Sequence, residues 1–344
     1  MPEIRIDQLK QITLDVLQCV GVSLLDAQIV SDTIVFAHQT GKGTHGITRL
    51  PIYIKKINNG SLDPATKITI IKDKPVVKIW DANNGFGQVV AHRAMNTAIE
   101  MAKQFGVGIV GVRNSNNFGT IAYFLDLAAR RGMISVIMSN SAPAIAPWGG
   151  SKALFGTNPI GFGFPNYSEQ APIILDMATS FVARGKIRLA AKNGEKIPFG
   201  WALDSNGNPT DDPEEALNGS LLPIGEHKGA GLAMVVDIFA GLIPGSAFAG
   251  EVLNLNTNGA YSRNGHFIMA INPDFFLDKE EYQERIDFLI EKMKGEDSGK
   301  VSFPGEGAHQ RTLENSNIVS IGAKPIREIN ELLNRFDLPF LTDL

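Results

Sequence analysis

Residues 81–91 read DANNGFGQVVA, and the fold turns on what their two glycines do. An apolar run, PVVKIW (75–80), leads in, and a helix-like run, AHRAMNTAIEMAKQFG (91–106), leads out. Strand, glycine turn and helix follow in the order of a Rossmann dinucleotide loop. That fingerprint needs three glycines and an acidic residue about 20 positions on, at the end of the next strand. Gly85 and Gly87 supply two. The third place holds Val90, and the next strand ends at Arg113, which suits a 2′-phosphate rather than a ribose diol. The plainer reading is a strand-to-helix turn whose glycines permit positive φ, and it is the one favoured.

Composition narrows the class. The chain has 344 residues, enough for one large or two smaller cores. It is 44% hydrophobic and 20% charged with a net charge of −4, so neither disorder nor nucleic-acid binding is indicated. The single cysteine, Cys19, excludes an intrachain disulfide and fits a reducing compartment. The start, MPEIRIDQLKQI, lacks a signal peptide's apolar stretch. The run GLAMVVDIFAGLIPG (231–245) is interrupted and too short for a bilayer. A cytoplasmic protein with no membrane partner is expected.

Periodicity divides the chain. Leu9, Ile12, Val16 and Val20 mark a first helix that ends at Gly21. Ser23, with Asp26 three residues on, caps a second helix that closes at Gly41. Pro51 opens a short third helix. From about residue 67, strands such as KITIIKD, GVGIVGVRNS and MISVIMSNS alternate with helices, the pattern of α/β packing. GEHKGAGLAMVVDIFAGLI (225–243) reads as a buried helix, GHFIMAINPDFF as a strand, and DKEEYQERIDFLIEKMKG and KPIREINELLNRF as terminal helices. A mainly helical region is expected from residues 1–75 plus 280–344, around a central α/β region over 76–279.

Two metal readings fail. DSNGNPTDDPEE (204–215) places Asp204, Asn206, Asn208 and Glu215 where calcium ligands fall, but Pro209 occupies the obligatory glycine position. The six histidines form no HxxxH pair and none neighbours the cysteine, so no metal site is expected.

The loop Thr44-His45-Gly46-Ile47-Thr48-Arg49 is the best catalytic candidate. An unperturbed histidine titrates in the range that suits proton exchange near neutrality. Arg49 offers a two-pronged fork for a carboxylate ahead of a helix N-terminus, and Tyr53 adds a hydroxyl. RNSNNFGTIAYF (113–124) puts Asn114, Ser115, Asn116 and Asn117 at a strand end, where α/β proteins place ligand groups. LDMATS (175–180) sets Asp176, Thr179 and Ser180 after a strand. GEHKGAGLA (225–233) holds His227 and Lys228 before a helix, a fair phosphate cradle. PGEG (304–307) is a turn with Glu306.

THGITR (44–49), GFGQVVAHRAM (85–95), APWGG (146–150), GTNPIGF (156–162), LDMATSFVARGKI (175–187), GWALD (200–204), LLPIGEHKGAGLA (221–233) and PGE (304–306) together resemble the malate/L-lactate dehydrogenase family that lacks a Rossmann fold. The resemblance implies an α/β fold with a mixed-sheet, three-layer core of the L-sulfolactate dehydrogenase-like type. Helices from the N- and C-terminal segments complete it. It also implies hydride transfer between NAD, or NADP, and a small 2-oxo or 2-hydroxy acid, in a homodimer or higher oligomer. His45 falls on the family's proton donor or acceptor, and Arg49 on its carboxylate ligand. Thr44, Tyr53 and Thr157 fall beside the substrate. Ser141, the run Leu175, Asp176, Met177, Ala178, Thr179 and Ser180, then His227, Lys228, Gly305 and Glu306 fall on cofactor contacts. Gly85 and Gly87 become a conformational turn.

Two departures stand out. Thr44 replaces the usual serine, and Asn117 replaces a second histidine that many members carry. Malate is the first substrate implied. L-Lactate, L-sulfolactate and ureidoglycolate dehydrogenation, or cyclic-imine reduction, are same-family alternatives, and Asn117 motivates a non-catalytic ligand-binding protein. NAD is expected over NADP because Asp176 and Glu306 would repel an added phosphate.

Overall fold

A computed structural model describes residues 2–168, 170–254, 257, 259–295 and 299–342. Among the described residues, seven strands form one mixed sheet: β2 (Thr69–Asp73), β3 (Val77–Asp81), β4 (Val107–Ser115), β5 (Ile134–Ser139), β6 (Ile160–Phe164), β7 (Ile173–Met177) and β11 (Asn264–Ile271). Their order is β2-β3-β4-β11-β5-β6-β7. Only β3 and β4 run parallel; the other neighbours pair antiparallel. A parallel pair needs a crossover, and α4 (Gly87–Phe105) supplies it.

Both faces of the sheet are covered. Val110, Val112, Ile137 and Ile268 pack under α4 and α5 (Ile121–Ala129). Val136, Met138, Ile160 and Phe267 point the other way, against Val236 and Ala240 of α8 (His227–Asp237) and the π-helical turn Ile238–Leu242 that continues it. The expected mixed, three-layer, non-Rossmann core is the one observed. Gly241 and Gly265 allow this close approach: a Cβ on Gly265 would lie 1.7 Å from the Ala240 carbonyl oxygen. The helix expected to be buried over 225–243 is buried on its sheet side, through Ala233, Val236 and Ala240, whereas Met234, Leu242 and Ile243 are about half exposed.

A second core joins the chain ends. α1 (Ile6–Cys19), α2 (Leu24–Gln39) and α3 (Leu50–Asn58) pack with α11 (Ala323–Asn334) and with the two-stranded sheet of β1 (Glu3–Arg5) and β12 (Ile318–Ser320). Ser23 caps α2 as its sequence indicates, accepting the Asp26 N–H at 3.2 Å. A third, smaller core gathers α6 (Arg184–Asn193), α7 (Pro213–Asn218) and a sheet of β8 (Ala202–Leu203), β9 (Pro209–Thr210) and β10 (Ser220–Leu221). There Asp204 turns its carboxylate onto the N–H groups of Asn206 and Asn208, both at 2.8 Å, in a plain turn. α9 (Lys279–Lys294) and α10 (Glu306–Glu314) flank the β7 edge; sequence periodicity shows α9 and misses α10.

The 81–91 turn does sit in a strand–helix–strand unit, yet it is closed. The Asn116 amide donates to the carbonyls of Asn84 and Gly85 at 2.9 and 3.0 Å, and Thr66 accepts the Phe86 N–H. A Cβ on Gly87 would lie 2.2 Å from the Asn116 carbonyl oxygen. No room is left for a pyrophosphate. The expectation of positive φ at these glycines is corrected: Asn83 and Asn84 take the left-handed conformation, at φ 46° and 59°. Gly85 and Gly87 are needed for close approach to Thr66 and the 116–117 backbone. Arg113 is spoken for by Asp81 at 2.9 Å.

Gly87→Ala should therefore push against the 116–117 backbone and destabilise the fold by about 1–3 kcal/mol, the range for overpacking. Chemical denaturation measures this directly, and cofactor titration should show little change. A selective loss of cofactor affinity with stability intact would restore the phosphate-loop reading.

Candidate active site at one end of the sheet

Register places the candidate residues at one end of the sheet. Met138 and Met177 both pair with Ile160, and Ser115 pairs with Asn264. Beyond this row lie Asn116–Asn117 after β4, Asn140–Ser141 after β5, Thr157–Asn158 before β6, and Ala178–Ser180 after β7.

The His45 loop is built on α2. His38, near the end of that helix, accepts the Ile47 N–H at 3.0 Å, and a Cβ on Gly46 would lie 2.3 Å from its ring. Burial keeps His38 neutral by drawing its pKa down to about 4. Lys42 pairs with Asp176 at 2.5 Å, and Thr120 also donates to that carboxylate at 2.8 Å. The loop is thus moored to β7 and to the start of α5.

His45 is half buried, with Thr44 Oγ1 at 3.2 Å from Nδ1. Its pKa is pushed down to about 4, first by burial and then by Arg49, while Asp176 opposes and Lys42 assists. The expectation of a titration near neutrality is corrected: the His45 imidazole is neutral at pH 7. Arg49 donates Nε–H to the Thr44 carbonyl at 2.8 Å, and its terminal nitrogens have no partner among the described residues. Asn117 accepts the Gly119 N–H at 3.1 Å, leaving its amide N–H groups without a partner among those residues. Tyr53 lies in the core, where its hydroxyl receives the Gln88 amide at 2.6 Å.

Lys56, on α3, is buried and has no acid partner among the described residues. It donates to Asn116 Oδ1 at 2.9 Å and Ser262 Oγ at 2.5 Å. A buried charge costs several kcal/mol unless hydrogen-bonded, so these bonds tie α3 to the 116–117 turn.

Hydrogen bonds link part of the expected cofactor set. Thr157 N–H donates to Ser141 Oγ at 3.1 Å, Thr179 N–H to the Thr157 carbonyl at 2.9 Å, and Ile224 N–H to the Thr179 carbonyl at 2.9 Å. The hydroxyls of Thr179 and Ser180 are turned inward onto the Thr157 and Val182 carbonyls. Ile224 leads into α8, whose start has no side-chain cap and carries exposed His227 and Lys228. Free N–H groups at a helix start beside a lysine suit a diphosphate, so the donor set fits a dinucleotide here and not at α4. Trp148 packs edge-on against His227, with ring centroids 6.0 Å apart. Gly305 lies against Ile174, and a cavity of about 320 Å³ beside it is also lined by Lys42, Asp176 and Arg311. Leu175 faces outward, and Glu306 is paired with Lys294. Both carboxylates expected to repel a 2′-phosphate therefore already face a lysine.

The structure adds residues that sequence reading passed over. Arg188 on α6 comes near enough to Arg49 for their charges to repel, with no acid partner for either among the described residues. Nothing in the local sequence marks it beyond a basic helix after residues 175–180. Lys42 and His38 carried a faint signal, a cation and a helix-end histidine just before a glycine-rich loop.

A neutral imidazole beside an unpaired guanidinium can take the hydroxyl proton of an acid whose carboxylate lies on that guanidinium. This chemistry, on a mixed sheet whose glycine turn is closed, is that of a non-Rossmann hydroxy-acid dehydrogenase. The sequence profile of the malate/L-lactate dehydrogenase family matches residues 4–329, and the chain belongs to that family. It is 41% identical over 298 residues to the malate/(S)-sulfolactate dehydrogenase of Methanothermus fervidus, covering 86% of this chain and 87% of the other. The sulfolactate dehydrogenase structure from Methanocaldococcus jannaschii superposes with a TM-score of 0.91 at 36% identity, covering 98% of each chain. The malate dehydrogenase structure from Pyrococcus horikoshii OT3 gives 0.89 at 35%, covering 99% of this chain and 97% of that one. Dehydrogenases of the family use nicotinamide cofactors, NAD or NADP.

The lowered His45 pKa sets a pH signature. Oxidation needs the neutral ring, so its kcat/KM should stay level from about pH 5 to 8. Reduction needs the protonated ring, so its kcat/KM should fall about tenfold per pH unit across the same window. His45→Ala should lower kcat by roughly 10²–10⁴-fold. A bend near pH 6.5 in both wild-type profiles would mean that His45 is not depressed.

Proposed function

We propose that the chain is a malate dehydrogenase that uses NAD first and NADP as its alternative. Arg49 holds the carboxylate next to the reacting carbon, because its two terminal nitrogens match a carboxylate's oxygens. His45 Nε2 accepts the hydroxyl proton in oxidation and returns it in reduction. Asn117 offers an amide N–H to the substrate oxygen in place of the second family histidine. The bound nicotinamide supplies the hydride acceptor; Ser141, Thr157 and residues 175–180 shape its pocket, and the α8 start with Lys228 holds its phosphates.

The observation that supports a dianionic substrate is Arg188. Two guanidinium groups near enough to repel, neither with an acid partner among the described residues, favour a ligand carrying two negative groups. Lactate and ureidoglycolate offer one carboxylate each; malate offers two, and sulfolactate a carboxylate and a sulfonate. Asp176 and Glu306 beside the Gly305 turn support NAD over NADP, though each is paired with a lysine.

We also propose a cytoplasmic homodimer. Cys19 is a free thiol, and no described helix is long and apolar enough to cross a membrane. Met234, Leu242 and Ile243 leave an apolar stripe on α8 and its π-helical extension, which suits a second copy.

Arg188→Gln should lower kcat/KM for oxaloacetate by about ten- to a hundredfold, the scale of one charge-assisted hydrogen bond. The value for pyruvate should change by less than about threefold. Equal losses for both would remove Arg188 from the distal group. Absence of NADH and NADPH oxidation with every oxo acid tested would sink the dehydrogenase reading. Leu242→Asp should give monomers in light scattering; an unchanged mass would place the interface elsewhere.

A further inference from the structure

His266 lies in the centre of the sheet and is fully buried. Its strand, β11, sits between β4 and β5. Nε2 is 2.8 Å from Ser115 Oγ, the last residue of β4, and Nδ1 is 2.9 Å from Ser139 Oγ, the last residue of β5. The Phe118 ring packs edge-on against the imidazole at 4.5 Å. The residues that follow these serines are the two halves of the site. Ser115 leads into Asn116–Asn117, and Ser139 into Asn140–Ser141.

The ring has one hydrogen-bond pattern to satisfy. Burial lowers its pKa to about 3, so it is neutral, with one N–H and one bare nitrogen. Each nitrogen has a serine as its close side-chain partner, with the Asn116 and Gly265 backbone also near the ring, so the ring donates toward one serine and accepts from the other. The serine that receives the ring N–H keeps its own proton for a carbonyl. Ser139 has two within reach, those of Asn140 and Gly265, both at 3.2 Å, whereas Ser115 reaches only that of Asn116, at 3.4 Å. This accounting puts the proton on Nδ1, facing Ser139, with Ser115 donating to Nε2. A register shift between Asn264 and His266 aims the ring between the two strand ends.

We propose that His266 is a positioning residue for the hydride step, a neutral cross-tie that fixes the distance between the substrate turn at 116–117 and the cofactor turn at 140–141. The inference rests on the dehydrogenase reading above. In that step the C2–H bond of the hydroxy acid breaks, its electron pair and hydrogen pass to the nicotinamide, and the hydroxyl proton goes to His45. The rate depends steeply on the donor–acceptor distance, whereas binding of either partner alone does not.

Three variants test it. His266→Phe keeps a ring against Phe118 and removes both hydrogen bonds. It should lower kcat by about tenfold or more and raise the primary isotope effect measured with 2-deuterated malate. NADH affinity by fluorescence titration should stay within about threefold. His266→Gln, with one donor and one acceptor, should recover part of the loss. In the unliganded wild type, imidazole 15N shifts should show one fixed tautomer, protonated at Nδ1, from about pH 5 to 8. If His266→Phe does not fold, Ser115→Ala and Ser139→Ala each remove one arm and should raise the isotope effect in the same way. A lower melting temperature with kcat and isotope effect unchanged would leave His266 as core packing only. A ring that exchanges between tautomers would likewise overturn the proposal. Wild type inactive on every acid would overturn the dehydrogenase reading and this one together; active wild type with indifferent variants overturns this one alone.

Discussion

The side-chain amide of Asn116 is the contact on which the rest depends. Its two N–H groups close the turn between β3 and α4, its oxygen takes the buried ammonium of Lys56, and its backbone carbonyl fills the space a side chain at Gly87 would need. One residue thereby shuts the helix start within the only parallel strand pair among the described residues. It also fixes the start of the turn that carries Asn117 and ties that turn to the helix after Arg49. With this helix start closed, a dinucleotide must find free N–H groups elsewhere. The uncapped start of α8 offers them on the far side of the same sheet end.

Electrostatics in the site follow from burial more than from charge pairs. The chain is acidic overall, yet Arg188 lies near enough to Arg49 to repel it, and neither has an acid partner among the described residues. Burial is the largest influence on His45, and the neighbouring cations push the same way. Only Asp176 opposes, and Lys42 already answers much of its charge. A carboxylate seated on Arg49 would offset that cation, so the imidazole would hold a proton better than in the empty site. The empty site therefore gives the weaker base, and an anion seated on Arg49 would strengthen it.

Much of this was legible in the sequence where local physics decides. Ser23 and Asp26 mark the start of α2, alternating apolar residues mark the central strands, and the order of the glycine-rich motifs points to the family. Long-range contacts were not legible. Nothing near Gly87 says that its hydrogen faces a carbonyl about thirty residues away, so the glycine reads as a flexible turn when it is a steric requirement. α10 was hidden because a Pro-Gly turn precedes a short polar helix with no buried residue to set a period. The depression of His45 depends on burial that no residue type reveals, and Arg188 comes near Arg49 only because distant stretches of the chain fold together. Tyr53 looked available for substrate until α4 brought Gln88 to its hydroxyl.

α8 has two unlike ends. Its first turn presents backbone N–H groups and Lys228, and its last turns, continued through the π-helical stretch, carry the apolar stripe. The contact between Gly265 and Ala240 pins the region where they meet to the sheet. If the stripe packs against a second copy, ordering one end lowers the entropy lost in ordering the other, and linkage makes the effect mutual. Cofactor affinity would then vary with protein concentration, and dilution would act as a negative effector without touching a single ligand contact.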